Sequence, residues 1–358
     1  MRFATSLVLV LLLSTAQLAL AADPPAGKKN LVATDLTQVD AHFALQGEYA
    51  GTAWWPNYGY VHAGLQVVAY GDGKFEAAML RGGLPGAGWD LSPRLTFQGT
   101  RAGDSVSFTS GDLKIVVGES AAEVFSAGGN SVGKLAKASR KSPSEGLQPP
   151  SNARILFSGN ETSAFEKAKV TPDGLLLAGF QTKQPVGDFR LHVEFRTPYM
   201  PYAKGQARGN SGVYIQTRYE VQVLDSFGLE GIENECGSLY RQKRPDLNMC
   251  LPPLAWQTYD IYFSQPKWSA DGKTKLANAR ITVIHNGVPV HWHREIIAKT
   301  GGGKVEAPTL LPINFQDHGN PVAFRNLWIV DGQGDWAAPS GQTAGRGRLL
   351  RWLRPRCR

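Results

Sequence analysis

Three titratable side chains stand in or beside polar rows that alternate with apolar ones: Glu194, Glu220 and His318. In 188–197, Phe189, Leu191, Val193 and Phe195 alternate with Arg190, His192, Glu194 and Arg196. Val213 and Ile215 alternate with Tyr214 and Gln216, Val221 and Val223 with Glu220 and Gln222, and Ile313 and Phe315 with Asn314 and Gln316. Period two places the apolar set in a core and the polar set on one sheet face. Carboxylates and an imidazole gathered there can move protons, while amides and a tyrosine edge suit a polyhydroxylated ligand. The same pattern fits a face that meets only water, which is common in antiparallel sheets. Two glutamates with a histidine favour an enzyme over a carbohydrate-binding, lectin-like module. Each residue keeps a plainer alternative: Glu220 as a cross-strand partner of Arg196 or Arg218, Glu194 as an orienting group, His318 as a structural side chain.

These rows demand an all-β fold. Helical periodicity is poor beyond the first 20 residues, whereas short runs bounded by turn signals recur throughout. Residues 31–140 form one antiparallel β block, punctuated by Gly71-Asp72-Gly73, Pro85-Gly86-Ala87-Gly88 and Ser110-Gly111-Asp112. Residues 141–154 are rich in Pro and Ser and have the composition of a linker. A second β block spans 155–331, and residues 332–358 carry no strand pattern, which suits a disordered tail. In the first block Trp54, Trp55, Tyr58 and Tyr60 fit either a small core or a sugar-stacking patch. Pro289 marks its strand as an edge strand.

Arg2, an apolar run from Leu7 to Leu20 and Ala19-Leu20-Ala21 describe a signal peptide over residues 1–21, so the chain is expected to be exported, periplasmic or extracellular. The run is too short for a transmembrane anchor. Export permits disulfides, and Cys236 and Cys250 are expected to bridge, with a pair of buried thiols as the alternative. The net charge of +8 is concentrated at the C-terminal end, where six arginines stand against Asp335 after residue 332. A near-neutral body argues against nucleic-acid binding, and the basic tail suits weak contact with acidic surfaces. His291 and His293 share a strand face, yet two ligands do not make a metal site. The sequence requires no cofactor and leaves a divalent metal open.

The stretch GNSGVYIQTRYEVQVLDSFG (209–228) resembles the signature of the 3-keto-disaccharide hydrolase family, some members of which are described as 3-keto-glucoside 1,2-lyases or hydratases. ILFSGN (155–160), GDFRLHVEFR (187–196), ECGSLY (235–240), NMCLPPLAWQTYDI (248–261), ARITVIHNGVPV (279–290) and INFQDHGNPVAFRNLWIV (313–330) follow in family order. The upstream block looks like that of secreted planctomycete members. The resemblance implies a concanavalin A-like jelly-roll β-sandwich and a small saccharide substrate. By position it carries over Glu194, Asn210, Ser211, Gly212, Tyr214, Glu220, Gln222, Asp225, Tyr240, Asn248, Gln316, Asp317, His318 and Arg325. Of these, Glu220, His318 and Glu194 are the catalytic candidates. Asn210, Tyr214, Gln222, Asp225, Tyr240, Asn248, Gln316 and Asp317 are the substrate-binding candidates. Asp317 suits either orienting His318 or holding a turn.

That substrate class implies a particular chemistry. A ketone at C3 acidifies the hydrogen on C2, so a base removes it and the C1 substituent leaves as the enolate collapses. Water then adds to the unsaturated sugar, and the net result is glycosidic cleavage. The steps need a base near C2, donors over the C3 oxygen and an acid near the leaving oxygen. Glu220 or His318 is expected as the base, with Asn210, Gln222 or Gln316 holding the enolate oxygen. Glu194, Tyr214, Glu220, Gln222 and Gln316 are expected on one concave face. Elimination, hydration and net hydrolysis remain alternatives.

Overall fold

The computed structural model describes residues 30–332 and 334. The expected signal peptide lies outside the described residues, and so does all but the start of the expected tail. The regular structure of the described chain is almost wholly antiparallel β, with helical turns at Phe43–Leu45 and Gly205–Ala207. No helix among the described residues is long and apolar enough to cross a membrane.

The first block closes into an eight-stranded barrel running from Gly47–Trp55 to Ser131–Ala138, each strand pairing with the next and the last with the first. Closure removes sheet edges. Inward-facing Tyr49, Leu65, Val67, Phe75, Met79, Phe108, Ile115 and Val124 fill it. The aromatic cluster divides: Trp55 joins this core, Tyr60 is exposed, and Tyr58 lies under the Arg81 guanidinium at 3.7 Å.

The second block forms two sheets around one core. The smaller has the strand order Phe165–Glu166, Phe180–Thr182, Asn314–Phe315, Ser211–Ile215, Tyr219–Val223. The larger centres on Ala323–Asp331, Phe189–Arg196, Gln257–Ser264 and Ala279–His285, with Val288–Ile296 at its edge. Leu191, Val193 and Phe195 meet Val213, Val221 and Phe315 in the shared core. Phe180 stacks on Phe315 within the small sheet (4.4 Å, 16°) and meets Phe324 of the large sheet edge-on at 5.6 Å.

This layout separates two expected partners. Leu191, Val193 and Phe195 point into the sandwich, so alternation turns His192 and Glu194 outward from the large sheet. Segment 139–150 crosses that outer face. Ser142 and Ser144 meet the Thr258 hydroxyl at 2.6 and 2.7 Å, and Glu145 pairs with Arg325 at 2.9 Å. Glu194 therefore lies across the whole sandwich from Glu220, and the expectation of one common face fails for it.

Barrel and sandwich are tightly joined. Tyr199 exchanges backbone hydrogen bonds with Ala33 and donates its hydroxyl to Asp40 at 2.9 Å. Arg94 donates to the carbonyls of Gly228 and Leu229 at 2.9 and 2.8 Å. Val68 of the barrel belongs to the sandwich core.

Candidate active site

Ser211–Ile215 runs between Tyr219–Val223 and Asn314–Phe315. Tyr214 lies opposite both Glu220 and Asn314, and Gly212 lies opposite Gln222. The Gln316 amide donates to the Gly212 carbonyl at 2.9 Å and extends that row. Because Val213, Val221 and Phe315 are in the core, Tyr214, Glu220, Gln222 and Gln316 share the outer face of the small sheet.

Two segments close over this face. Gly237–Tyr240 follows the free edge of Tyr219–Val223, the Tyr240 amide donating to the Glu220 carbonyl at 3.2 Å and the Gln222 amide to Ser238 at 3.0 Å. That pairing sets the Tyr240 ring beside the site. The Thr300 hydroxyl accepts the Glu220 amide at 2.7 Å, and the chain then passes through three glycines. A methyl on Gly301 (φ +25°) would sit 2.7 Å from the Tyr240 ring and 3.8 Å from Glu220 Oε2. Beneath the carboxylate, a methyl on Gly212 would sit 2.5 Å from Glu220 Oε1, so a glycine here leaves room for the side chain above it.

Glu220 is only 2 % exposed, and its Oε2 has no hydrogen-bond partner. Burial pushes its pKa up to about 7, and a hydrogen bond from the Tyr214 hydroxyl opposes only part of that rise. The Tyr214 phenol is itself pushed well up by burial and by the neighbouring carboxylate, so it stays protonated and donates. No cation among the described residues offsets Glu220. Arg218 points its guanidinium at the carbonyls of Val305 and Thr309 (3.1 and 2.9 Å), and Arg196 stacks on Trp256 at 5.0 Å. The ion-pair alternative for Glu220 therefore falls.

The amides form a chain beside it. Asn210 Nδ2 donates to the Gln206 carbonyl at 2.7 Å, and Gln206 Nε2 to the Asn234 carbonyl at 2.7 Å. Gln222 Nε2 donates to Gln206 Oε1 at 3.1 Å and faces Asn210 Oδ1 at 3.5 Å. The Tyr240 hydroxyl reaches the same Gln206 oxygen at 3.5 Å. Both amides expected to hold an enolate oxygen are thus already engaged as donors, which corrects that role for Asn210 and Gln222. Gln316 is half-buried on the same face. Sequence periodicity missed Gln206, because it sits in a single helical turn. The glycine triplet 301–303 was a readable signal for a close approach.

Other expected site residues have different work. Glu194 accepts from Arg325 Nε at 2.7 Å, from Asn326 at 2.8 Å and from the Gly146 amide. Burial raises its pKa, but hydrogen bonds from His192, Asn326, Arg325 and the Gly146 amide outweigh that and hold it at about 2. It is a clamp on segment 139–150 and not a base. Asp225 is locked to the buried Arg208 at 2.7 Å. Asn248 donates to the carbonyls of Ser226 and Leu229 at 2.9 and 3.1 Å, fixing the loop around it. Asp317 holds a turn by accepting the Gly319 amide at 2.8 Å, and His318 is exposed beside it with no hydrogen bond to it. Ser211 donates its hydroxyl to the Gln316 carbonyl at 2.7 Å.

The expected disulfide is also corrected. Cys236 and Cys250 are free, buried thiols. Cys236 Sγ meets the Tyr259 hydroxyl at 3.2 Å and Cys250 Sγ the Leu224 carbonyl at 3.5 Å, so both behave as core side chains. Among the described residues no group of three or more His, Cys, Asp or Glu is placed to hold a metal ion. His291 is buried against the Gly237 carbonyl at 2.8 Å, and His293 stands on a bulged, positive-φ position.

The model of the 3-keto-alpha-glucoside-1,2-lyase-like domain matches residues 152–330, the sandwich that carries this site. The chain belongs to that family. Among solved structures, three candidate glycosyl hydrolases from Parabacteroides distasonis ATCC 8503 are similar to this lyase-like chain. One is 35% identical over 51% of this chain and 84% of its own, with a TM-score of 0.47. Two others are 20% and 23% identical, covering 50% and 49% of this chain and 94% and 98% of theirs, each with a TM-score of 0.35. No curated protein matches the chain.

Proposed function

We propose that this member of the lyase-like family cleaves the glycosidic bond of 3-keto glycosides or disaccharides, with Glu220 as the base. The observation that carries the reading is the Glu220 carboxylate: buried, with one oxygen unpartnered and the Tyr214 hydroxyl beside it, so that burial pushes its pKa up to about 7. A base poised near neutrality is effective in both taking and returning a proton. Glu220 takes the C2 proton, the electron pair moves into the C2–C3 bond, and charge gathers on the C3 oxygen. Collapse of that enolate breaks the C1–O bond, and the leaving oxygen takes a proton. Gln316 lies on the same face and is the group we assign to the developing charge on the C3 oxygen, in place of Asn210 and Gln222, while the Tyr214 hydroxyl donates to Glu220 and holds the base. His318 is exposed at the end of the row and is assigned to the mouth of the site. Tyr240 and Gly301 cover Glu220, so admission of a sugar requires them to move.

We also read the two facing sheets as the concanavalin A-like jelly roll that the family resemblance implies, and the chain as an exported enzyme. The test is incubation of the purified protein with 3-keto-trehalose and 3-keto-glucosides in deuterated water. Cleavage with deuterium at C2 of the sugar product supports the reading. Cleavage of the unoxidised parent glycoside without C2 exchange restores an ordinary glycosidase. Binding without cleavage makes the sandwich a lectin-like module.

A further inference from the structure

We infer that Gln206 is a positioning residue that turns the Gln222 side-chain carbonyl toward the sugar, so that the site selects a substrate with a hydroxyl hydrogen to donate at that point. The inference rests on the reading of the site given above, and it names what that site recognises.

The orientation follows from atoms with no freedom of role. A backbone carbonyl only accepts hydrogen bonds. The group 2.7 Å from the Asn234 carbonyl must therefore be Gln206 Nε2, which leaves Gln206 Oε1 facing inward. The group 2.7 Å from the Gln206 carbonyl must be Asn210 Nδ2, which leaves Asn210 Oδ1 on the opposite side. Gln222 faces both of these oxygens, at 3.1 and 3.5 Å. A reversed Gln222 amide would set oxygen against oxygen with no proton between them. Gln222 therefore directs its NH2 to Gln206 and its Oε1 the other way.

That Oε1 is buried and has no partner, like Oε2 of Glu220 two residues before it on the same face. A buried acceptor left unsatisfied is costly, because the water it lost on burial has not been replaced. Two such acceptors side by side on a binding face point to a ligand that brings hydrogens to them. Glu220 meets the C2 hydrogen, and Gln222 meets a hydroxyl. The barrel contributes to this arrangement, because the segment carrying Gln206 is pinned to it: Tyr199 pairs with Ala33, Arg208 donates to the Ala69 carbonyl at 3.3 Å, and Tyr202 donates to Asp72 at 3.2 Å.

The test separates donor from acceptor by fluorine, which accepts weakly and cannot donate. Dissociation constants are measured for 3-keto glucosides with a deoxy or deoxyfluoro substitution at C2, C4 or C6, on the inactive full-length Glu220→Gln protein. At one position both analogues are expected to bind about 10- to 100-fold more weakly than the parent, the range implied by an unsatisfied buried acceptor. Adding Gln222→Met or Gln206→Met should erase that discrimination. Fluoro analogues that bind like the parent at every position, or discrimination that survives Gln222→Met, would overturn the inference. A ligand-free arm decides the amide orientation independently. The Gln222 side-chain NH2 resonance should be protected from solvent exchange in the intact chain and lose protection in Gln206→Met. An unprotected NH2 sinks the orientation even if 3-keto sugars are cleaved. Failure of every 3-keto sugar to bind, with the NH2 protected, sinks the substrate reading instead.

Discussion

Replacing Glu220 by Gln separates its catalytic role from its effect on stability. In an unfolded chain this carboxyl titrates near 4.5, and in the fold burial carries it to about 7. Between those values the folded chain keeps a proton that the unfolded chain has lost, so stability falls as pH rises from about 4.5 through 7. The 2.5-unit gap corresponds to about 3 kcal/mol, fully present above pH 7 and absent below about pH 4. Gln fills the same volume, still accepts from Tyr214 and carries no charge to bury. The variant should therefore be more stable than the parent by about 3 kcal/mol more at pH 8 than at pH 4. Urea denaturation of both proteins at the two pH values measures this, since all other titrating groups cancel in the comparison. Turnover should be lost at every pH, while the parent's kcat/KM should rise with pH up to about 7. A stability difference equal at both pH values, or a variant weaker at pH 8, would refute the picture of a buried, uncompensated carboxylate. An acid limb near 4.5 in the parent's rate profile would do the same.

Gly212→Ala should leave the fold nearly intact, because the clash at 2.5 Å is with the far end of a side chain and not with backbone, but should lower kcat by about 10²-fold through misplacement of the base. Comparison of melting temperature with turnover checks this. Glu194→Gln should destabilise by about 1–3 kcal/mol, because Arg325 keeps Glu145 and His192 keeps Asp260 when the hydrogen bonds to the carboxylate weaken, and should keep the pH dependence of turnover. The depressed pKa of Glu194 gives stability that is present above about pH 4.5 and lost as pH falls toward 2, so the parent should show an acid transition there that the variant lacks. Phe315→Ala should cost about 3–5 kcal/mol by emptying the stack with Phe180, read in the denaturation midpoint. Alkylation before and after unfolding should label Cys236 and Cys250 only after unfolding, with no prior reduction needed; a requirement for reductant would contradict two free thiols.

Alternation in the sequence was enough to define the strands and their two faces. Val213, Val221 and Phe315 are in the core, and Tyr214, Glu220, Gln222 and Gln316 share the face opposite. Composition and turn spacing likewise defined an antiparallel β protein with an upstream block. Period two says which residues of one strand share a face, but not which sheet the strand joins. Glu194 and Glu220 satisfy the same local rule, and only the packing of two sheets around one core places them on opposite sides of the sandwich. Closure of the upstream strands into a barrel depends on the pairing of Gly47–Trp55 with Ser131–Ala138, a contact across most of that block that no local signal carries. The raised pKa of Glu220 belongs to the tertiary structure too. It requires Arg218 to turn away toward Val305 and Thr309 and a glycine segment eighty residues downstream to settle over the carboxylate. The charge of a side chain is written in the sequence, but the absence of water and of a counter-ion around it is decided by long-range packing.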